Sequence, residues 1–70
     1  MHDTCIYHIK VRGQVEENLF NAATPLQITV VQVDSATTLF TTSADQSGLI
    51  GLIRHLHQQG FVILSLYRER

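Results

Sequence analysis

The sequence is poor in cysteine and in charged residues, and each shortage narrows what the protein can be. A single cysteine among 70 residues excludes an intramolecular disulfide. Charged residues make up only 16% of the chain and apolar residues 44%, a composition that excludes intrinsic disorder. A formal net charge of −1 gives no long-range attraction for nucleic acid or acidic lipid, so binding to a phosphate backbone is disfavoured.

Long apolar runs are missing as well. The first residues, MHDTC, lack the basic region and the apolar run of a signal peptide. No stretch approaches the roughly 18 apolar residues of a membrane span. The sequence therefore predicts a soluble, cytoplasmic protein with no membrane partner.

What is present begins with one complete helix signature, over residues 43–60. Ser43 and Gln46 have the spacing of a capping box, and Gly60 predicts the helix end because glycine enters the left-handed conformation cheaply. Four apolar residues recur at i, i+3, i+4 and i+7 and predict a stripe that faces a core. These are Leu49, Leu52, Ile53 and Leu56.

The other apolar segments have the patterns of β-strands. The predicted strands are residues 4–12, 26–33, 37–42 and 61–67. A change of phase inside the second strand predicts a β-bulge or a strand buried on both faces. The last segment is almost continuously apolar, which predicts an interior strand. Residues 14–25 fit a short helical turn or a compact loop, with Leu19 or Phe20 at the edge of the core.

These elements predict a single α+β domain over residues 1–70. Its sheet is expected to be four-stranded and mixed, in the sequence order β-β-β-α-β, with one main helix packed on one face. The crossover through the helix should make the third and fourth strands run in the same direction. A helix about 10 Å wide cannot cover four strands spaced about 4.8 Å apart.

A chain of this size also gains only about 3–5 kcal/mol from a single core. Both arguments predict a homodimer that buries the uncovered part of the sheet, or another protein partner. The candidate interface combines apolar sheet residues with a flat spot on the outer helix face, where Ser47 and Gly51 are four residues apart. The alternative is that Gly51 has no role in an interface and is a glycine that an exposed helix tolerates. The candidate interface residues are Phe40, Ser47, Gly51, Arg54, Gln58, Phe61 and Ile63.

Residues that could carry chemistry do not form a recognisable site. His55 and His57 are two positions apart on a helix, about 200° around it, and cannot bind one metal ion together. Cys5 and His8 are expected on opposite faces of one strand. No metal site, no cofactor and no catalytic residue is predicted.

Two charged groups have ordinary structural explanations. Glu16 and Glu17 lie in a polar segment and fit a solvated patch better than an acid and base pair. If the first strand lies at an edge, His8, Lys10 and Arg12 form a positive strip that prevents edge-to-edge aggregation.

The pattern as a whole resembles a small uncharacterised bacterial family of about 70 residues. The resemblance covers about residues 7–66, and its most specific part is the helix motif D-Q-x-x-L-x-G-L. Here that motif is Asp45, Gln46, Leu49, Gly51 and Leu52. The resemblance implies tryptophans within residues 14–25, where this chain has Leu19 and Ala22. It supports the fold and implies no assigned activity.

The leading functional hypothesis is therefore a non-catalytic interaction or regulatory module that acts as a homodimer. The alternative is a small-ligand-binding or enzymatic site formed at the dimer interface, using His8, His55 or His57. Light scattering tests whether the chain dimerises, since a chain that is monomeric at micromolar concentration contradicts the homodimer.

Overall fold

Residues 4–23 and 26–69 form four strands and two helices in a computed structural model of the chain. Thr24, Pro25 and Arg70, which belong to the predicted loop and tail, lie outside these described residues. The elements in chain order are β1 (Cys5–Arg12), α1 (Glu17–Ala23), β2 (Ile28–Val33), β3 (Thr37–Ala44), α2 (Gln46–Gln58) and β4 (Val62–Arg68).

The sheet has the strand order β2-β3-β1-β4, and each hydrogen-bonded pair of neighbours is antiparallel. The predicted mixed sheet is therefore wrong. The crossover through α2 does make β3 and β4 run in the same direction, but β1 lies between them and pairs antiparallel with both. This is the split β-α-β arrangement of ferredoxin-like domains.

The predicted sequence order β-β-β-α-β and the single main helix are also wrong, because α1 lies between β1 and β2. Only Phe20 is buried among its seven residues, so no apolar stripe revealed it. The Glu16 carboxylate caps the helix start by accepting hydrogen bonds from the backbone N–H groups of Asn18 and Leu19.

Both helices cover the same face of the sheet. Phe20 of α1 packs against Phe40 of β3, with ring centroids 6.3 Å apart. Leu52 and Leu56 of α2 join the same buried cluster as Ile9 of β1. The opposite face of the sheet, here called the open face, has no helix packed on it among the described residues. Its residues, from the strand register, are Ile6, His8, Lys10, Arg12, Thr29, Gln32, Thr37, Leu39, Thr41, Ser43, Val62, Ser65 and Tyr67.

The helix α2 ends as predicted, but its N-cap lies two residues later than the predicted one. Gly60 follows it with a φ of 87°. The predicted capping box at Ser43 is wrong, because that residue belongs to β3. The cap is Asp45, whose side chain accepts a hydrogen bond of 2.7 Å from the Gly48 N–H.

The two outer strands differ in how well the sequence predicted them. The β2 and β3 hairpin is confirmed, and so is a bulge in β2 at Val31. Asp34 closes the hairpin turn, and its hydrogen bonds from the Ala36 and Thr37 backbone hold its carboxyl pKa below the ordinary 3.8. The prediction of β4 as an interior strand is wrong, because β4 is an edge strand.

Candidate functional site

A groove lies between the end of α1 and the face of α2 and is here called the interhelical groove. Its volume is about 510 Å³. Leu52 of α2 is buried beneath it, and Ala23 and Leu26 form the opposite wall. Its remaining lining comes from α2: Ser47, Gly48, Gly51, Arg54, His55 and Gln58.

A smaller depression adjoins the groove and shares the lining residues Ala23 and His55 with it. Phe20, which also lines the depression, meets His55 edge to face with ring centroids 5.0 Å apart. The depression has a volume of about 260 Å³ and is lined in part by Leu19 and Phe61. Leu19 stands at one of the places where the family resemblance implied a tryptophan, and its side chain is exposed.

The polar groups of the interhelical groove are mainly hydrogen-bond donors. Arg54 is its cation, and it makes no ion pair within the described part of the chain. Gln58 and His55 add nitrogen atoms that can donate, and none of the described lining residues carries a carboxylate. The Asp45 carboxylate that caps α2 lies beside Gly48. The groove therefore combines apolar walls with one cationic side chain, Arg54.

The two glycines of the groove have different surroundings, which gives a testable contrast. A Cβ added to Gly51 would meet nothing within 4 Å, whereas one added to Gly48 would lie 3.2 Å from the Asp45 carboxylate that caps the helix. We expect Gly51→Ala to stabilise the protein by about 1 kcal/mol through helix propensity. Gly48→Ala should gain less, because it displaces the cap. Urea unfolding of both variants measures the difference, and equal effects would contradict it.

A second group of side chains lies on the open face beside β4. His8 stacks on Tyr67, with ring centroids 4.7 Å apart and planes inclined by only 3°. Its Nε2 lies 2.8 Å from the Glu69 carboxylate. These contacts tie the centre of β1 to the end of β4.

The strand β4 itself is the most exposed apolar element. Four of the nine exposed large apolar side chains among the described residues belong to it. They are Val62 (49% exposed), Leu64 (43%), Leu66 (37%) and Tyr67 (56%). An exposed apolar edge strand is a site for pairing with another chain. Sequence reasoning had not selected these residues, although the apolar run that contains them was visible.

The structure separates the predicted interface residues into two places. Ser47, Gly51, Arg54 and Gln58 come together along one wall of the interhelical groove. The other three lie on the helix-covered side of the sheet. Of these, Phe40 is completely buried and offers no surface, while Phe61 and Ile63 are half-buried against the core.

The other sequence candidates are dispersed. His8, Lys10 and Arg12 lie on β1, which is a central strand and not an edge. His57 is exposed on α2, and Cys5 is a partly buried free thiol. Among residues 4–23 and 26–69, no three potential metal ligands cluster. Neither α1 nor α2 has the length and apolar character needed to cross a membrane.

These observations define a class of protein: a small antiparallel α+β domain with an open sheet face, an apolar edge strand and a groove between its helices. The chain belongs to the family described as Domain of unknown function (DUF8691), whose model matches residues 6–67. The resemblance to a small uncharacterised family is thereby confirmed. No curated protein and no solved structure matches the chain.

Proposed function

We propose that this chain is a non-catalytic interaction module of the bacterial cytoplasm, acting as a homodimer whose two copies pair along β4. The observation that carries the proposal is the mismatch between the composition of β4 and its position. Its apolar run is typical of a strand inside a sheet, yet in the single chain it lies at the edge with most of its side chains exposed. A partner strand supplies the missing neighbour.

A second copy of the chain fits this edge by symmetry. A twofold axis places two β4 strands antiparallel, which is the pairing that already joins the neighbouring strands of the sheet. The unpaired backbone groups of both edges then gain hydrogen-bond partners. Side chains such as Leu64 and Tyr67 pack against the other copy as cross-strand pairs.

The size of the chain supports the same proposal. Seventy residues bury a core that supplies only about 3–5 kcal/mol, and small domains of this kind gain stability from oligomerisation. The chain has one cysteine, which is free, so a disulfide within the chain does not contribute. A free thiol is also compatible with the reducing conditions of the cytoplasm.

The test compares two lysine substitutions on the two edge strands. Leu64 lies at the bulge in β4 and Val31 at the bulge in β2, and both side chains are exposed, at 43% and 59%. Lysine on an edge strand opposes pairing with another strand. We expect light scattering to find the parent chain and Val31→Lys as dimers at about 10 μM, and Leu64→Lys as a monomer.

Two results would contradict the proposal. A parent chain that is monomeric at this concentration excludes the dimer. Dissociation by Val31→Lys alone assigns the interface to β2 in place of β4. Circular dichroism of each variant checks that the fold is retained, as expected for exposed positions.

A second candidate function is a small-ligand or enzymatic site formed at the same dimer interface. The contact of His8 with Tyr67 and Glu69 favours it, because this cluster lies beside β4. His55 and His57 lie on α2, on the other side of the sheet. A ligand found by thermal-shift screening that stabilises the parent dimer but not His8→Ala would support this candidate.

A further inference from the structure

The interhelical groove has the dimensions and the lining of a small-molecule site. Its volume of about 510 Å³ falls in the range of about 300–1,000 Å³ typical of ligand pockets. Because position 51 is a glycine, no side chain projects from it into the groove. Apart from the neighbouring helix backbone, no described atom lies within 4 Å of the place where a Cβ would stand. The groove is therefore space that the side chains of the described residues leave open.

The charge of the lining restricts what can occupy this space. Among the described lining residues Arg54 is the one formal charge, and Gln58 and His55 add further potential donors. The Asp45 carboxylate lies at the Gly48 end of the groove, where it caps α2. An occupant with hydrogen-bond acceptors and a negative charge is complementary to Arg54 and these donors. The planar guanidinium of arginine suits a carboxylate, with which it forms two parallel hydrogen bonds.

The opposite part of the groove is apolar. Leu26 lies 3.6 Å from the place where a Cβ of Gly48 would stand, and the buried Leu52 also lines the groove. Apolar walls with a few convergent polar groups are the usual design of a pocket in which the walls supply affinity and the polar groups fix orientation. A free inorganic anion would leave this apolar surface uncovered.

We propose that the interhelical groove binds a small organic molecule that joins an apolar body to a carboxylate. The carboxylate pairs with Arg54, and Gln58 can donate a further hydrogen bond. The apolar body lies in the groove over Gly51, against Leu26. This site is separate from the β4 edge and does not depend on the dimer.

The experiment uses 1-naphthylacetate and its uncharged amide as a matched pair of probes, with inorganic phosphate as a third. Titrations followed by amide NMR spectra should show saturable changes at Ser47, Gly51 and Gln58 with the carboxylate. We expect a dissociation constant of about 1 mM or lower, and binding of the amide weaker by about tenfold. The same backbone amides report whether the probe occupies the groove or the open face.

Two variants complete the test. Arg54→Gln should lower carboxylate affinity by about tenfold and leave amide affinity nearly unchanged, because it removes the positive charge and the bidentate guanidinium that pair with a carboxylate but not with an amide. Gly51→Leu fills the groove and should abolish binding of both. Its added side chain enters open space, so the fold is retained.

Four results would overturn the proposal. These are equal affinity for acid and amide, phosphate binding as tight as that of 1-naphthylacetate, undiminished binding to Gly51→Leu, or no saturation up to about 10 mM. None of these results bears on the dimer, which is tested separately by Leu64→Lys on β4 and Val31→Lys on β2.

Discussion

Replacing Phe40 with alanine should abolish the cooperative fold at room temperature. The ring is completely buried and is the largest fully buried side chain of the described core. It packs against Phe20 and so joins β3 to α1. Truncating a buried phenylalanine costs about 3–5 kcal/mol, and a domain of this size has a total stability of the same magnitude.

The measurement is urea unfolding followed by circular dichroism, with Leu19→Ala as the control. Leu19 is the most exposed of the exposed large apolar residues, so its truncation should change stability by no more than about 0.5 kcal/mol. The prediction is contradicted if Phe40→Ala unfolds cooperatively with a free energy of unfolding within about 1 kcal/mol of the parent's. Other residues would then supply most of the stability of the core.

Thr38→Val should destabilise the protein by about 2–3 kcal/mol although the two side chains have nearly the same shape. The buried Thr38 hydroxyl donates to the Gly13 carbonyl at 2.8 Å and accepts from the Val15 N–H at 2.9 Å. Valine leaves both backbone groups without this partner. Since residues 13–15 lead from β1 into α1, the loss should loosen the attachment of α1 to the sheet.

The control for this substitution is Thr41→Val on the open face. Thr41 lies only three positions further along β3 and is half-buried, so valine there should change stability by no more than about 0.5 kcal/mol. Hydrogen exchange adds a local readout, because the Val15 amide should lose protection in Thr38→Val. Equal stability of the two variants would show that the Thr38 hydroxyl contributes nothing.

The sequence leaves residues 14–25 open between a short helical turn and a compact loop, and α1 shows why. This helix has seven residues, and its attachment uses Phe20 together with polar contacts to β2. Asn21 accepts from the Ile28 N–H and donates to its carbonyl, and Glu17 accepts from the Val30 N–H. Apolar periodicity reveals a helix that carries an apolar stripe. It does not reveal these polar contacts, which join residues 7 and 13 positions apart in the chain.

The candidate sites were predictable to different degrees. The wall of the interhelical groove was visible, because Ser47, Gly51, Arg54 and Gln58 follow helical spacing. The opposite wall was not, since it depends on where α1 and Leu26 lie in space. The apolar character of β4 was also visible, but its position at the edge was not.

The sequence by itself determined where the four strands and α2 lie, because alternation, the apolar stripe, Gly60 and the bulge in β2 are local properties of the chain. Only the tertiary structure decided the order of the strands. Strand order depends on which crossover packs against which face, through contacts between residues far apart in sequence. That order places β1 in the centre and leaves the apolar β4 at the edge, where the proposed partner binds.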